Sequence, residues 1–366
     1  MESEKYTPLY EIYKDLHPHL VNFHSWILPV YFSSIKEETI HTRKKVTLFD
    51  ISHMGEIFIE GENAEKFINY LITNDIINIP EFKVVYTPIC NEKGGIIDDI
   101  LVYKFNKNRF LLIVNASNIE KDLKWINRIK ESFANINIKN ESNNYSMIAI
   151  QGPLSDKILE IFLPASPMEL KYYTFAETLF DEFNIILSRT GYTGEKGFEL
   201  IFKNEFAPAI WEKLWKVRDE FSLIPAGLGA RDVLRIEAGY PLYGNELSED
   251  INPFEANIGW TVKLNKEFIG NNSLKKLKDK IKKIRTGIIM EEKRIPREKN
   301  EIYYNETKIG YISSGTFSFN LNKSIGMAYI DDKYLDSKDI LIKIHKKFYN
   351  GKITKLPFIN NIKSGG

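Results

Sequence analysis

Val84-Val85-Tyr86-Thr87-Pro88-Ile89-Cys90-Asn91-Glu92-Lys93-Gly94-Gly95-Ile96-Ile97-Asp98-Asp99-Ile100-Leu101-Val102 is the stretch on which the fold reading turns. Two apolar runs, 84–90 and 96–105, flank the Asn-Glu-Lys-Gly-Gly turn and read as paired strands. Pro88 lacks a backbone N–H and marks the first run as an edge or a bulge. A third strand is expected over 109–114 and a helix over 118–133. Strand, strand, strand, helix reads as an α+β module. Inside the second run stand two carboxylates. Side chains alternate across a strand, so Asp98 and Asp99 point to opposite faces. One can sit near solvent or cap a turn, and the other then faces a core or a pocket. A buried carboxylate is costly unless partnered. The functional reading of this pair is an acid/base or electrostatic role, and the plain reading is a structural hydrogen bond to the glycine turn.

Working outward, the N-terminal side carries Leu48-Phe49-Asp50-Ile51-Ser52-His53-Met54-Gly55, then a strand over 56–60 and a helix over 64–72. On the C-terminal side, strands at 146–150, 184–189 and 198–202 are expected. The last two flank the loop Thr190-Gly191-Tyr192-Thr193-Gly194-Glu195-Lys196-Gly197. Its spacing is neither the dinucleotide fingerprint nor a phosphate-binding Gly-Lys-Ser/Thr loop. The glycines instead let backbone approach a flat ligand or another strand. Glu199, where the chain leaves the loop, can accept hydrogen bonds from the edge of an amino-heterocycle; the plain reading is a surface ion pair. An amphipathic helix is expected over 207–221 and a glycine-started helix over 225–239. The segment Gly227-Leu228-Gly229-Ala230-Arg231-Asp232 sets free N–H groups beside a planar guanidinium. Asp232 can equally neutralise Arg231. After Trp260 a Lys-rich, helical connector is expected over 266–283, and from Arg285 short strands at 286–291, 301–304, 308–313, 324–329 and 340–344 predict a small barrel-like β domain.

Composition bounds the class. The chain has 366 residues, enough for two or three domains, and 50 basic residues face 49 acidic ones, which argues against a general nucleic-acid footprint. The single cysteine, Cys90, excludes an intramolecular disulfide and a Cys-based metal cluster, and the six scattered histidines supply no zinc motif, so no metal is expected. His53 reads as structural. The charged start of the chain lacks a secretory apolar region, and no apolar run approaches the ~18 residues of a membrane span, so a cytoplasmic protein is expected.

Taken in order, these segments resemble the glycine cleavage T-protein (aminomethyltransferase) family. The resemblance runs from Thr7-Pro8-Leu9-Tyr10 and Trp26-Ile27-Leu28-Pro29-Val30 through 48–55, 91–101, Gln151-Gly152-Pro153, 189–199 and 227–244. It closes with Ser313-Ser314-Gly315 inside 310–329 and with Leu356-Pro357-Phe358. Each motif alone is weak, and their register along nearly the whole chain is specific. The resemblance implies an α+β, three-domain cloverleaf with a C-terminal β-barrel. The first, folate-binding domain is discontinuous, residues 1–50 plus 140–262; the second is 51–139; the connector and barrel are 263–366. It implies a tetrahydrofolate-dependent enzyme that takes the aminomethyl carbon from lipoylated H-protein, releases ammonia and forms methylene-tetrahydrofolate. Asp99 matches the family's key acidic residue, Glu199 and Arg231 match folate-contacting positions, and Tyr86, Tyr192 and Tyr240 supply pocket aromatics. Tetrahydrofolate is thus the co-substrate and H-protein the partner, docked through Lys266–Lys283 together with Lys346, Lys347 and Lys352. One departure is that only Lys363 offers a charge after Pro357-Phe358, where relatives often carry an aromatic or basic residue. Two other readings remain: a folate-dependent demethylase of a methylated amine or sulfonium, and a non-enzymatic folate-binding factor. The latter branch carries a Lys-Gly-Cys-Tyr-x-Gly-Gln-Glu segment where this chain has 189–195.

Overall fold

The computed structural model describes residues 4–359. Two antiparallel sheets pack face to face and a barrel closes one end. The first sheet has six strands in the order Phe175–Phe180, Phe183–Ser188, Gly197–Lys203, Tyr145–Gln151, Val46–Asp50 and Leu223–Pro225, with only the last pair parallel. The second has five, in the order Lys83–Cys90, Ile96–Asn106, Arg109–Val114, Gly55–Glu60 and Asn137–Asn140. Lys83–Cys90 is an edge, as Pro88 requires.

The alternation of side chains builds four layers. Tyr103, Phe105, Leu111 and Ile113 of the second sheet meet Phe49, Met147, Phe175 and Ile201 of the first in a shared core. The opposite faces take helices. Ala64–Leu71 and Ile119–Lys130 cover the second sheet through Phe67, Ile68, Leu71 and Ile126. Ser155–Leu159 and Ala207–Lys216 cover the first through Ile158, Ile210, Trp211 and Leu214. The barrel runs Lys283–Met290, Lys323–Asp331, Thr307–Ser318, Glu301–Tyr304, Ile340–Ile344 and Lys347–Thr354, and the last strand pairs back to the first. Closure removes every free edge.

A buried ion pair fastens the barrel to the sheets. Arg235, on the helix Leu228–Glu237, donates to Glu246 at 2.7 Å, to Asp232 at 2.8 Å and to Ser314 Oγ of the barrel at 2.8 Å. Asp232 is therefore committed to Arg235, which corrects the expectation that it neutralises Arg231.

Several elements differ from the sequence reading. The expected helix 207–221 breaks at Val217 into Ala207–Lys216 and Arg218–Phe221. The Lys-rich connector is helical only over Asn271–Leu277 and a 3-10 turn at Lys278–Lys280. Gly270, at φ +88°, starts it late, and a run of like charges gives little side-chain support to a longer helix. Lys266, expected at a docking surface, turns inward and donates to Ile72 O at 2.7 Å and to Asn69 O. The strands Val46–Asp50, Phe175–Phe180 and Lys347–Thr354 were not expected. Among the described residues, no helix is long and apolar enough to cross a membrane.

Candidate active site

Asp99 and Asp98 do face opposite ways, and Asp98, unlike a turn cap, is fully buried. On the strand Ile96–Asn106, Asp99 shares a side with Leu101 and Tyr103 and looks into the gap between the sheets. Asp98 shares the other side with Ile100 and Val102, beneath the helix Ile119–Lys130, and is fully buried. The expectation that one carboxylate lies near solvent is corrected: Asp98 is sequestered by Asn118 Nδ2 at 2.5 Å, Asn115 Nδ2 at 2.8 Å and Asn115 N at 3.1 Å.

The Asp99 carboxylate is held by two donors. Tyr86 OH reaches Oδ2 at 3.0 Å, and Asn115 Nδ2 reaches Oδ1 at 3.0 Å. Tyr86 comes from the neighbouring strand, where Pro88 lies opposite Asp99, so the contact is the diagonal one a twisted antiparallel pair allows. Burial, and then the charge of Asp98, push the pKa of Asp99 up to about 7. The two hydrogen bonds work against that rise.

Opposite stands Glu199, on Gly197–Lys203. It is buried and accepts from Thr190 Oγ1 at 2.5 Å. Burial raises its pKa, while Thr190 and Arg231 oppose the change. The surface-ion-pair reading of Glu199 is thereby excluded. Arg231 lies one helical turn into Leu228–Glu237 with its guanidinium 4.6 Å from the Tyr192 ring centre. Among the described residues it has no salt bridge. Burial lowers its basicity, but a guanidinium in a protein stays charged. Tyr192 donates to Pro241 O and stacks on Tyr240, with ring centres 5.7 Å apart and planes 24° from parallel.

The glycines of the 190–197 loop serve a side chain. A Cβ on Gly191 or Gly197 would lie 2.2 or 2.3 Å from the Gln151 amide, which bonds Thr190 O and Phe198 O at 3.3 Å and accepts from Thr193 Oγ1 at 2.8 Å. Gln151 ends the strand Tyr145–Gln151, and Gly197 is its cross-strand partner, so the close approach is to a neighbouring strand.

Asp99, Tyr86, Tyr192, Glu199, Arg231 and Tyr240 line one cavity of about 320 Å³. It adjoins a wider cavity of about 1060 Å³ with which it shares Tyr86, Tyr173, Thr190, Gly191, Tyr240 and Trp260. Sequence reasoning missed Asn115, Tyr173, Trp260 and Arg285 in the lining. Asn115-Ala116-Ser117-Asn118 was a usable signal, because two amides closing an apolar strand beside a carboxylate pair are poised to satisfy it. Arg285 gives no such signal; it lines the cavity because its guanidinium bonds Ala256 O at 2.7 Å and Gly239 O at 2.8 Å across the barrel junction. Leu356 and Pro357 also reach the lining, whereas Lys363 lies outside the described residues. His53 is buried and neutral, its pKa pushed down to about 3 by burial and by Arg231 and His24.

A layered α+β chain whose barrel closes a cavity holding a shifted carboxylate, a free guanidinium and stacked rings defines an enzyme with a pocket for a flat, polar-edged molecule. Comparison with known proteins specifies it. A family described as the GCVT N-terminal domain matches residues 9–266, and the glycine cleavage T-protein C-terminal barrel domain matches 283–360. An aminomethyltransferase of Thermosipho melanesiensis is 43% identical over 355 residues, covering 97% of each chain. That of Thermotoga maritima is 40% identical over 362 residues, covering 96% of this chain and 99% of its own. The crystal structure of the glycine cleavage system aminomethyltransferase T from Bartonella henselae superposes with a TM-score of 0.92 at 28% identity, covering 98% and 99%. The chain belongs to the glycine cleavage T-protein family of aminomethyltransferases.

Proposed function

We propose that the 320 Å³ cavity is where an aminomethyl carbon delivered by lipoylated H-protein is joined to tetrahydrofolate, with ammonia released. As a member of its family the chain is an aminomethyltransferase of the glycine cleavage system. The single observation that carries the finer reading is the convergence of Asp99, Glu199 and unpaired Arg231 on one cavity with tyrosine walls.

Each group has a task its surroundings support. Tyr192 and Tyr240 present stacked faces to a planar ring system. Glu199 accepts from amino and ring N–H groups, and Arg231 donates to a carbonyl or carboxylate that its own chain does not supply. Asp99, aimed by Tyr86 and Asn115, places negative charge where positive charge develops on the carbon being transferred, and it costs no reorganisation to do so. A bound co-substrate beside the incoming carbon gains the proximity advantage. The wider adjoining cavity offers an approach route for a carrier arm. Residues 1–50 with 140–262, 51–139, and 263–366 are proposed as the three domains on the ground that the first carries the six-stranded sheet and the two-stranded pair His19–Phe23 and Trp26–Tyr31, the second the body of the five-stranded sheet and the third the barrel.

The test is a comparison of donors at saturating tetrahydrofolate. Aminomethylated H-protein should give ammonia and methylene-tetrahydrofolate in equal amounts. Turnover with a methylated amine or sulfonium, and none with H-protein, would overturn the proposal.

A further inference from the structure

A second buried carboxylate stands behind the Asp99 site. Asp122, on the helix Ile119–Lys130, is fully buried, and no N–H or hydroxyl among the described residues donates to either of its oxygens. It stands one turn after Asn118 on the same helix face, and Asn118 Nδ2 donates to Asp98, itself fully buried, so the two carboxylates face each other. Two carboxylates that only accept cannot hold one another; the contact needs a proton between them.

The surroundings decide which residue carries it. Three N–H groups converge on Asp98: Asn115 N, Asn115 Nδ2 and Asn118 Nδ2. They stabilise a negative charge there. Nothing comparable serves Asp122. The charged and titratable groups around it are Asp98 and Asp99 from the strand, Lys121 from its own helix, and Tyr243 from the segment beyond Leu228–Glu237. Lys121 is spent elsewhere, donating to Ile97 O at 2.6 Å and to Tyr243 OH at 2.7 Å. Asp122 lies in the first turn of its helix, where backbone N–H groups could favour an anion, yet its oxygens accept none.

We propose that Asp122 is a neutral carboxylic acid whose O–H is donated to Asp98, and that it is a positioning residue for Asp99. The link is Asn115, whose Nδ2 spans Asp98 Oδ1 at 2.8 Å and Asp99 Oδ1 at 3.0 Å. Asp98, pinned from behind by Asp122, fixes the Asn115 amide, and that amide fixes the Asp99 carboxylate. The direction of the Asp122 shift agrees: burial first, and then the charge of Asp98, raise its pKa far above the ordinary carboxylate range. A buried network of this kind is rigid when every member is satisfied and costly when one is removed. The inference rests on the reading of Asp99 as the catalytic carboxylate.

Two measurements on the intact enzyme test it. Infrared difference spectra of wild type against Asp122→Asn at neutral pH should contain a protonated-carboxyl C=O stretch that belongs to wild type alone. Kinetically, Asp122→Ala should lower kcat by roughly 10²-fold, the scale of a misplaced catalytic group, with KM for tetrahydrofolate little changed. Asp122→Asn keeps an N–H donor toward Asp98 and should recover at least about tenfold of that loss. If Asp122→Ala does not fold, Asp122→Asn against wild type still decides through the band and kcat. Absence of the band, or an Asn variant as impaired as the Ala variant, overturns the proposal. The two levels fail differently: a missing band refutes the shared proton. A present band with an Asp99→Ala enzyme of wild-type turnover refutes the catalytic role that the proton serves.

Discussion

Replacing Arg231 with alanine should weaken tetrahydrofolate binding without destabilising the protein. The guanidinium lies 4.6 Å from the Tyr192 ring centre and has no carboxylate partner among the described residues. Burial without a partner is a cost in the free enzyme, seen as a lowered basicity. Its donors are therefore available to a ligand. A hydrogen bond to a charged group contributes about 1.5–3 kcal/mol. At 1.4 kcal/mol per decade, losing one raises Kd by roughly 10- to 150-fold. The cation–π contact with Tyr192 lost in the free protein contributes only about 0.5–2 kcal/mol and is offset by relief of the desolvation cost. The melting temperature should therefore stay level or rise slightly. Glu199→Gln keeps the shape and the Thr190 contact but removes the charge, and it should weaken binding within the same range. Calorimetric titration with tetrahydrofolate, paired with thermal melts, is the assay. Wild-type affinity in both variants refutes the placement of the ligand's polar edge. Weaker binding accompanied by a large drop in melting temperature refutes the claim that Arg231 is free for the ligand.

Two further outcomes follow from buried charge. Arg235→Ala strands Glu246 as a lone buried anion and cuts the bond to Ser314, so chemical denaturation should show a loss of about 3–5 kcal/mol; an unchanged midpoint would contradict the barrel-fastening role. Asp99 must be ionised to act and titrates at about 7, so kcat should rise as pH increases through that value. Asp98→Asn removes a neighbouring charge and should move the midpoint to lower pH; a midpoint that stays fixed would show that Asp98 does not set it. The sign for stability is opposite to that for activity. The folded-state value is above the ordinary 3.8, so the contribution of Asp99 to stability is present below about 4 and is lost as pH rises through about 7.

Local pattern carried much of the architecture. The Gly94-Gly95 turn between two apolar runs identified the strand that bears Asp99, and short strands after Arg285 identified the barrel. The structure brings Asp99, Tyr86, Tyr192, Glu199, Arg231 and Tyr240 to one cavity, although they come from both sheets, a loop and a helix. What pattern could not give is long-range. Val46–Asp50 is central in its sheet and buried through Val46–Phe49, so it shows little of the alternation that marks a half-exposed strand. Lys347–Thr354 becomes a strand by closing the barrel against Lys283–Met290, a partner about sixty residues away. Gly191 and Gly197 of the 190–197 loop leave room for Gln151 of the paired strand, a long-range contact the loop alone does not show, and Gly191 also lines the cavity. Trp260, 64% exposed at the mouth of both cavities, carries no local mark of that position. The Asp98–Asp99 dipeptide shows where charge is buried; only the fold shows that the amides of Asn115 and Asn118 receive it.

The catalytic role of Asp99 is tested most directly by the turnover of Asp99→Ala with aminomethylated H-protein and saturating tetrahydrofolate, with thermal melts beside it. Tyr86 and Asn115 face the cavity and can be solvated once the carboxylate is gone, so folding should be unaffected. Loss of a fixed electrostatic stabiliser should cut kcat by about 10²–10³-fold. The account predicts that loss with an unchanged melting temperature. Turnover within a few-fold of wild type at an unchanged melting temperature would contradict it.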